Sequence, residues 1–205
     1  MKITWYGQSC FKLQNNRDVL LIDPHGPKNV GLKGPGSKAT IFVSTDPKDK
    51  GPVGLKEGFL ISSPGEYEVR GIMVYGINCA RKDKELTIYQ IEMDGIRFGV
   101  LGEINTPLKS EELEHLDGID VLFVPVGGKN TIGIDKAVEI INSIEPKIVI
   151  PCCYKIPKIK INMGTLEEFL KEMGVKNIEK LERFSLNKKD LSSEETKIVV
   201  LEPRI

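Results

Sequence analysis

Asp94-Gly95 stands between two apolar runs, residues 87–93 and 96–101. A two-residue type I′ turn needs positive φ at both central positions, and Asp-Gly is among the few pairs that accept it. The flanking runs therefore pair as antiparallel strands. The first half of the chain reads as further short strands, at residues 3–6, 10–13, 19–22, 39–44, 60–62, 69–74 and 77–79. Pro64-Gly65 and the Glu66-Tyr67 that follows read as a structural turn. Beyond the hairpin the character changes. Residues 108–116 suit a short helix, 121–126 a continuous buried strand, 135–144 a helix and 147–150 a second buried strand. Thr165-Leu166-Glu167-Glu168 is a capping box, and Gly174 sits where that helix should stop. Residues 197–201 form the last strand. Strand, helix and strand at this spacing demand layered α and β with parallel pairing.

A chain of 205 residues buries roughly 70% of its unfolded surface, so it can fold without disulfides or a structural metal. One domain over residues 1–205 is expected. The 29 basic and 29 acidic side chains cancel. Zero net charge gives no global pull toward nucleic acid or an anionic membrane. No apolar run reaches the ~18 residues of a membrane span. The opening residues read as a strand rather than a signal peptide. The four cysteines, at 10, 79, 152 and 153, show no CxxC spacing, which suits free thiols in a reducing, cytoplasmic setting. There are only 2 histidines, His25 and His115, too few for a His-rich dinuclear metal site.

Few residues suggest chemistry by themselves. Residues 31–38 nearly spell a phosphate-binding loop, but Ser and Lys are in the wrong order and a strand follows instead of a helix. His115 lies in a helical run and reads as a solvated surface side chain. His25 follows Asp23-Pro24 at a strand end, where it can line a cleft. Cys153 follows a buried strand, and sites in layered α/β folds gather at carboxyl ends of strands. Lys155 could lower a nearby thiol's pKa. The plainer reading of Cys153 is a buried, inert core residue.

Several stretches together resemble the metallo-β-lactamase-fold superfamily, in its small Zn-dependent hydrolase and lactonase-like branch. They are Trp5-Tyr6-Gly7-Gln8-Ser9-Cys10-Phe11, Leu21-Ile22-Asp23-Pro24, Pro64-Gly65-Glu66-Tyr67-Glu68 and Val100-Leu101-Gly102-Glu103. The series continues in Asp120-Val121-Leu122-Phe123-Val124-Pro125-Val126-Gly127-Gly128 and Pro146-Lys147-Ile148-Val149-Ile150-Pro151. The resemblance implies an α/β (α+β) fold: a four-layer αββα sandwich of two mixed sheets flanked by helices. It also implies a cleft where seven ligands, several of them histidines, hold two metal ions.

Laid on this chain, the inferred ligand positions fall on Thr45, Pro47, Asp49, Lys50, Arg81, Glu103 and Cys153, with Asp46 inside the same segment. None is His, and Gln8 stands where the family usually has His. Asp49, Glu103 and Cys153 retain donor atoms. Lys50 and Arg81 are cations and would repel a metal. They would instead neutralise Asp49 and Glu103 in a salt-bridge cluster replacing the metals.

The leading expectation is thus a relative that keeps the fold and a degenerate site: a non-catalytic pseudoenzyme without a cofactor, binding a small ligand or a protein. The resembled branch also implies a homo-oligomer. One alternative is a hydrolase with a single zinc on Asp49, Glu103 and Cys153, with His25 nearby. Another is an anion- or phosphate-binding cleft lined by Lys50, Arg81 and Lys155.

Overall fold

The computed structural model describes the chain except residues 26–30, 37, 49–56, 81–84, 160, 194 and 205. The first sheet contains β1 (Lys2–Trp5), β2 (Phe11–Gln14), β3 (Val19–Ile22), β4 (Lys38–Val43), β5 (Glu57–Ile61) and β13 (Phe184–Ser185), in the order β13-β1-β2-β3-β4-β5. The second contains β6 (Gly65–Val69), β7 (Ile72–Asn78), β8 (Thr87–Met93), β9 (Ile96–Val100), β10 (Val121–Pro125), β11 (Ile148–Cys152) and β14 (Lys197–Ile198). Its order is β14-β11-β10-β9-β8-β7-β6. Both sheets are mixed: β3, β4 and β5 run parallel, as do β9, β10, β11 and β14. A small parallel ribbon joins β12 (Lys180–Leu181) to β15 (Val200–Leu201).

Every residue of β10 and β11 is buried. A strand covered on both faces must be apolar throughout, which is why residues 121–126 carry no alternation. The helices among the described residues are few: α1 (Ser110–Glu114), α2 (Ile134–Ile144) and α3 (Leu166–Glu172). α2 buries Ala137, Ile140, Ile141 and Ile144, one face at helical spacing, and packs on β10. At α3 the expected cap forms, with the Thr165 N–H donating to Glu168 Oε2 at 3.1 Å.

The sheets meet through aromatic rings. Phe11 of the first sheet lies 4.2 Å from Phe123 of the second, centroid to centroid, and Trp5 lies 5.0 Å from Tyr154. Such pairs add about 0.5–1.5 kcal/mol each beyond the area they bury.

The Asp94-Gly95 hairpin forms as expected, with φ of 55° and 70°. A second two-residue hairpin, Arg70-Gly71, divides residues 69–74 into the end of β6 and the start of β7. It corrects the reading of that run as one strand. Glu66 and Tyr67 likewise belong to β6 rather than to a turn.

Two polar links tie the sheets at these turns. Arg70 Nε donates to Asp18 Oδ1 at 2.6 Å, and Asn15 Nδ2 donates to Asp94 Oδ1 at 2.9 Å. No helix of the described residues is long and apolar enough to cross a membrane.

Candidate functional site

The site lies at the carboxyl ends of β1, β3, β4, β9 and β11. Three of the residues that follow or end these strands take left-handed backbone conformations: Gln8 (φ 51°), Asp23 (φ 41°) and Cys153 (φ 54°). Residues with side chains seldom adopt this region, and functional sites are where such strain is retained.

The turn after β1 is held from within. Tyr6 N–H donates to the Cys10 carbonyl at 2.9 Å, and the Trp5 indole donates to the Gln8 carbonyl at 2.8 Å. This fixes Gln8 at 2% exposure. Its side-chain Nε2 donates to Glu103 Oε1 at 3.4 Å. Its Oε1 is buried without a hydrogen-bond partner among the described residues. His25 is buried beside the same turn, and its Nε2–H donates to the Tyr6 carbonyl at 3.0 Å.

Asp23 organises the neighbouring loop. Its carboxylate accepts the Thr45 N–H at 2.7 Å and the Thr45 hydroxyl at 2.8 Å. Burial pushes the Asp23 carboxyl up to about 6, with the Glu103 charge adding to the rise against the hydrogen bonds from Thr45 and Ser9. Thr45 is thereby committed to Asp23. Gly102, at φ 60°, passes so close to Thr45 that a Cβ there would meet Thr45 Oγ1 at 2.3 Å. Asp46 Oδ1 accepts the Lys48 N–H at 2.9 Å. Pro47 lines a shallow cleft of about 300 Å³ with Ser62, Pro64, Asn78 and Thr87.

Cys153 is fully buried. Burial, then the Cys152 thiol beside it, pushes its pKa well above the ordinary thiol range, and the charges of Glu103 and Asp23 add to this. Lys155 is exposed, and its backbone N–H donates to the Gly164 carbonyl at 2.8 Å.

The structure therefore brings Gln8, Thr45, Glu103 and Cys153 together around Asp23. It leaves Lys155 on the surface. Asp49, Lys50 and Arg81, and with them the expected salt-bridge cluster, lie outside the described residues. Asp23 and Ser9 were not among the candidates. The signal for Asp23 was an acidic residue closing a buried strand immediately before Pro24.

Among the described residues no three of His, Cys, Asp and Glu gather to hold a metal. The oxygen donors on hand are the Glu103 carboxylate and the orphaned Oε1 of Gln8, the side chain whose Nε2 donates to Glu103. That pair fits part of the shell of one cation. It does not fit two zinc ions held by imidazoles.

Comparison with known proteins bears on the cofactor. The beta-lactamase superfamily domain matches residues 2–153. A UPF0173 protein of Pyrococcus furiosus is 27% identical over 202 residues, covering 87% of this chain and 93% of that protein. A UPF0173 metal-dependent hydrolase of Archaeoglobus fulgidus is 25% identical over 215 residues, covering 85% and 93%. A crystal structure from Thermotoga maritima, assigned as a Zn-dependent hydrolase of the metallo-β-lactamase superfamily, is 28% identical with a TM-score of 0.82. It covers 98% of this chain and 99% of its own.

These names correct the expectation of no cofactor, since they point to a metal. The expectation leaned on missing imidazoles, but carboxylate and amide oxygens also bind cations. By its two mixed sheets, its strand order and the match over residues 2–153, the chain belongs to the metallo-β-lactamase-fold hydrolase superfamily.

Proposed function

We propose that this chain is a hydrolase acting on a small ligand at the cleft of Gln8, Thr45, Glu103 and Cys153, with one metal ion instead of a pair. The carrying observation is what stands at the inferred ligand positions: a carboxylate at Glu103 and no histidine at any of the seven. The metal-dependent names of the relatives bring an ion into the reading. When bound, such an ion polarises the scissile group or lowers the pKa of a bound water.

The protein's share is to hold and shape. Glu103 holds the ion, with Asp49 as the carboxylate the resemblance adds. Asp23 locks the Thr45 loop. Cys153 keeps a sulfur donor, fully buried beside these groups. The absence of disulfides among the four cysteines suits a reducing, cytoplasmic setting.

Metal analysis of purified protein tests the reading. One divalent ion per chain, lost in Glu103→Gln, is expected, together with ion-dependent turnover of a panel of lactones, carboxylic esters and phosphodiesters. Two ions per chain, or none, would overturn it. A second reading, a ligand-binding protein without turnover, is favoured by Thr45 and Pro47. Neither is a useful metal donor, and Thr45 is already bonded to Asp23. One bound ion with no hydrolysis anywhere in the panel would select it.

A further inference from the structure

Gln8 Oε1 is a buried acceptor with no partner among the described residues, in a side chain only 2% exposed. Buried polar atoms are nearly always paired, and an exception marks a place for a water, an ion or a ligand. The chemistry decides which end of the amide is orphaned. The other end, Nε2, donates to Glu103 Oε1 at 3.4 Å. Turned over, the amide would set its oxygen against a carboxylate, two acceptors facing each other. The orphan is therefore an oxygen, buried on a braced turn in the side chain whose other end meets Glu103. The Trp5 indole bond to the Gln8 carbonyl and the Cys10 N–H bond to the Gly7 carbonyl, at 2.8 and 3.0 Å, hold that turn in place.

We infer that Gln8 Oε1 is a ligand of the cleft's ion, joining Glu103 in an oxygen-donor cation site. The inference rests on the single-ion reading above and adds to it the chemical class of the ion. An amide carbonyl beside a carboxylate suits hard divalent cations such as Mg²⁺ or Mn²⁺, whereas imidazole suits Zn²⁺. Gln8 thus sets ion preference. Placing there the imidazole that the family resemblance implies should move the preference toward Zn²⁺, and His is among the residues that tolerate positive φ.

The test uses the full-length, metal-stripped protein and its Gln8→Leu and Gln8→His variants. Each is titrated with MnCl₂, followed by electron paramagnetic resonance, and with ZnCl₂, followed by calorimetry. Wild type should bind one Mn²⁺ that Mg²⁺ displaces. Q8L should weaken Mn²⁺ by about tenfold. Q8H should shift the ratio of Zn²⁺ to Mn²⁺ affinity toward Zn²⁺ by a similar factor. Unchanged Mn²⁺ affinity in Q8L and an unchanged ratio in Q8H would assign the orphaned oxygen to a water. That result would overturn the inference and leave the single-ion reading standing. Wild-type protein that binds neither ion would overturn both.

Discussion

Thr45 gives its backbone N–H and its hydroxyl to the same carboxylate, Asp23, at 2.7 and 2.8 Å. One side chain therefore fastens the end of β4 to the end of β3. Thr45→Val keeps the shape and the N–H bond but removes the hydroxyl donor. A buried acceptor left short of a partner costs about 1–3 kcal/mol. Urea denaturation should show a loss in that range for T45V and recovery of most of it in T45S.

The raised carboxyl of Asp23 gives a pH dependence whose sign can be worked out. Its native pKa is about 6, above the ordinary value of about 3.9. Between those values the native state binds more protons than the unfolded state. This group's contribution therefore favours folding at low pH and is lost as pH rises through that window. Carbon NMR of the metal-stripped protein should find an aspartate carboxyl titrating near 6. If every aspartate titrates below 4.5, the account of Asp23 is wrong.

Gly102 and Gly174 separate crowding from backbone strain. Both have positive φ, 60° and 71°. A Cβ at Gly174 meets nothing within 4 Å, whereas at Gly102 it meets Thr45 Oγ1 at 2.3 Å. Gly174→Ala should cost only the left-handed penalty, about 1–2 kcal/mol. Gly102→Ala should add an overpacking cost of about 1–3 kcal/mol, and it should also disturb the Thr45–Asp23 link. Thermal and urea melts of the two variants give the comparison. Equal costs would remove the steric argument.

Arg70 carries two opposed effects. Its Nε bonds the buried Asp18 at 2.6 Å, although the Arg70 side chain is 62% exposed. It also sits at φ 55°, a left-handed conformation that glycine adopts freely and arginine does not. Solvent screening limits what the ion pair is worth to about 1 kcal/mol. Arg70→Ala loses the pair and keeps the strain. Arg70→Gly loses the pair and relieves the strain. R70G should therefore be more stable than R70A by about 1 kcal/mol, read by denaturation.

The sequence made some features legible and hid others for identifiable reasons. Asp94-Gly95 announces its hairpin because both residues accept positive φ. Arg70-Gly71 makes the same turn unannounced, because arginine is no turn former and the apolar run continues across it. Residues 65–69 were disguised by Pro64-Gly65, which marks a turn but here opens a strand. The site's location at strand ends was legible through the ordered motifs. Asp23 was not, because its partner Thr45 is 22 residues away and joins it only across the β3–β4 pair. The orphaned oxygen of Gln8 was beyond any sequence reading, since the lack of a partner is a property of the packed turn. The expectation of no cofactor gave more weight to the missing histidines and to the cations Lys50 and Arg81 than to the donors kept at Asp49, Glu103 and Cys153, and the metal-dependent names of the relatives overturn it.

The ties Asn15–Asp94 and Asp18–Arg70 lie at the starts of β3, β7 and β9, whereas Asp23 and Glu103 lie just past the ends of β3 and β9. The ties between the sheets and the Asp23–Glu103 neighbourhood thus lie at opposite rims of the sandwich. A change of side chain among the groups at one rim therefore leaves the fastening at the other in place.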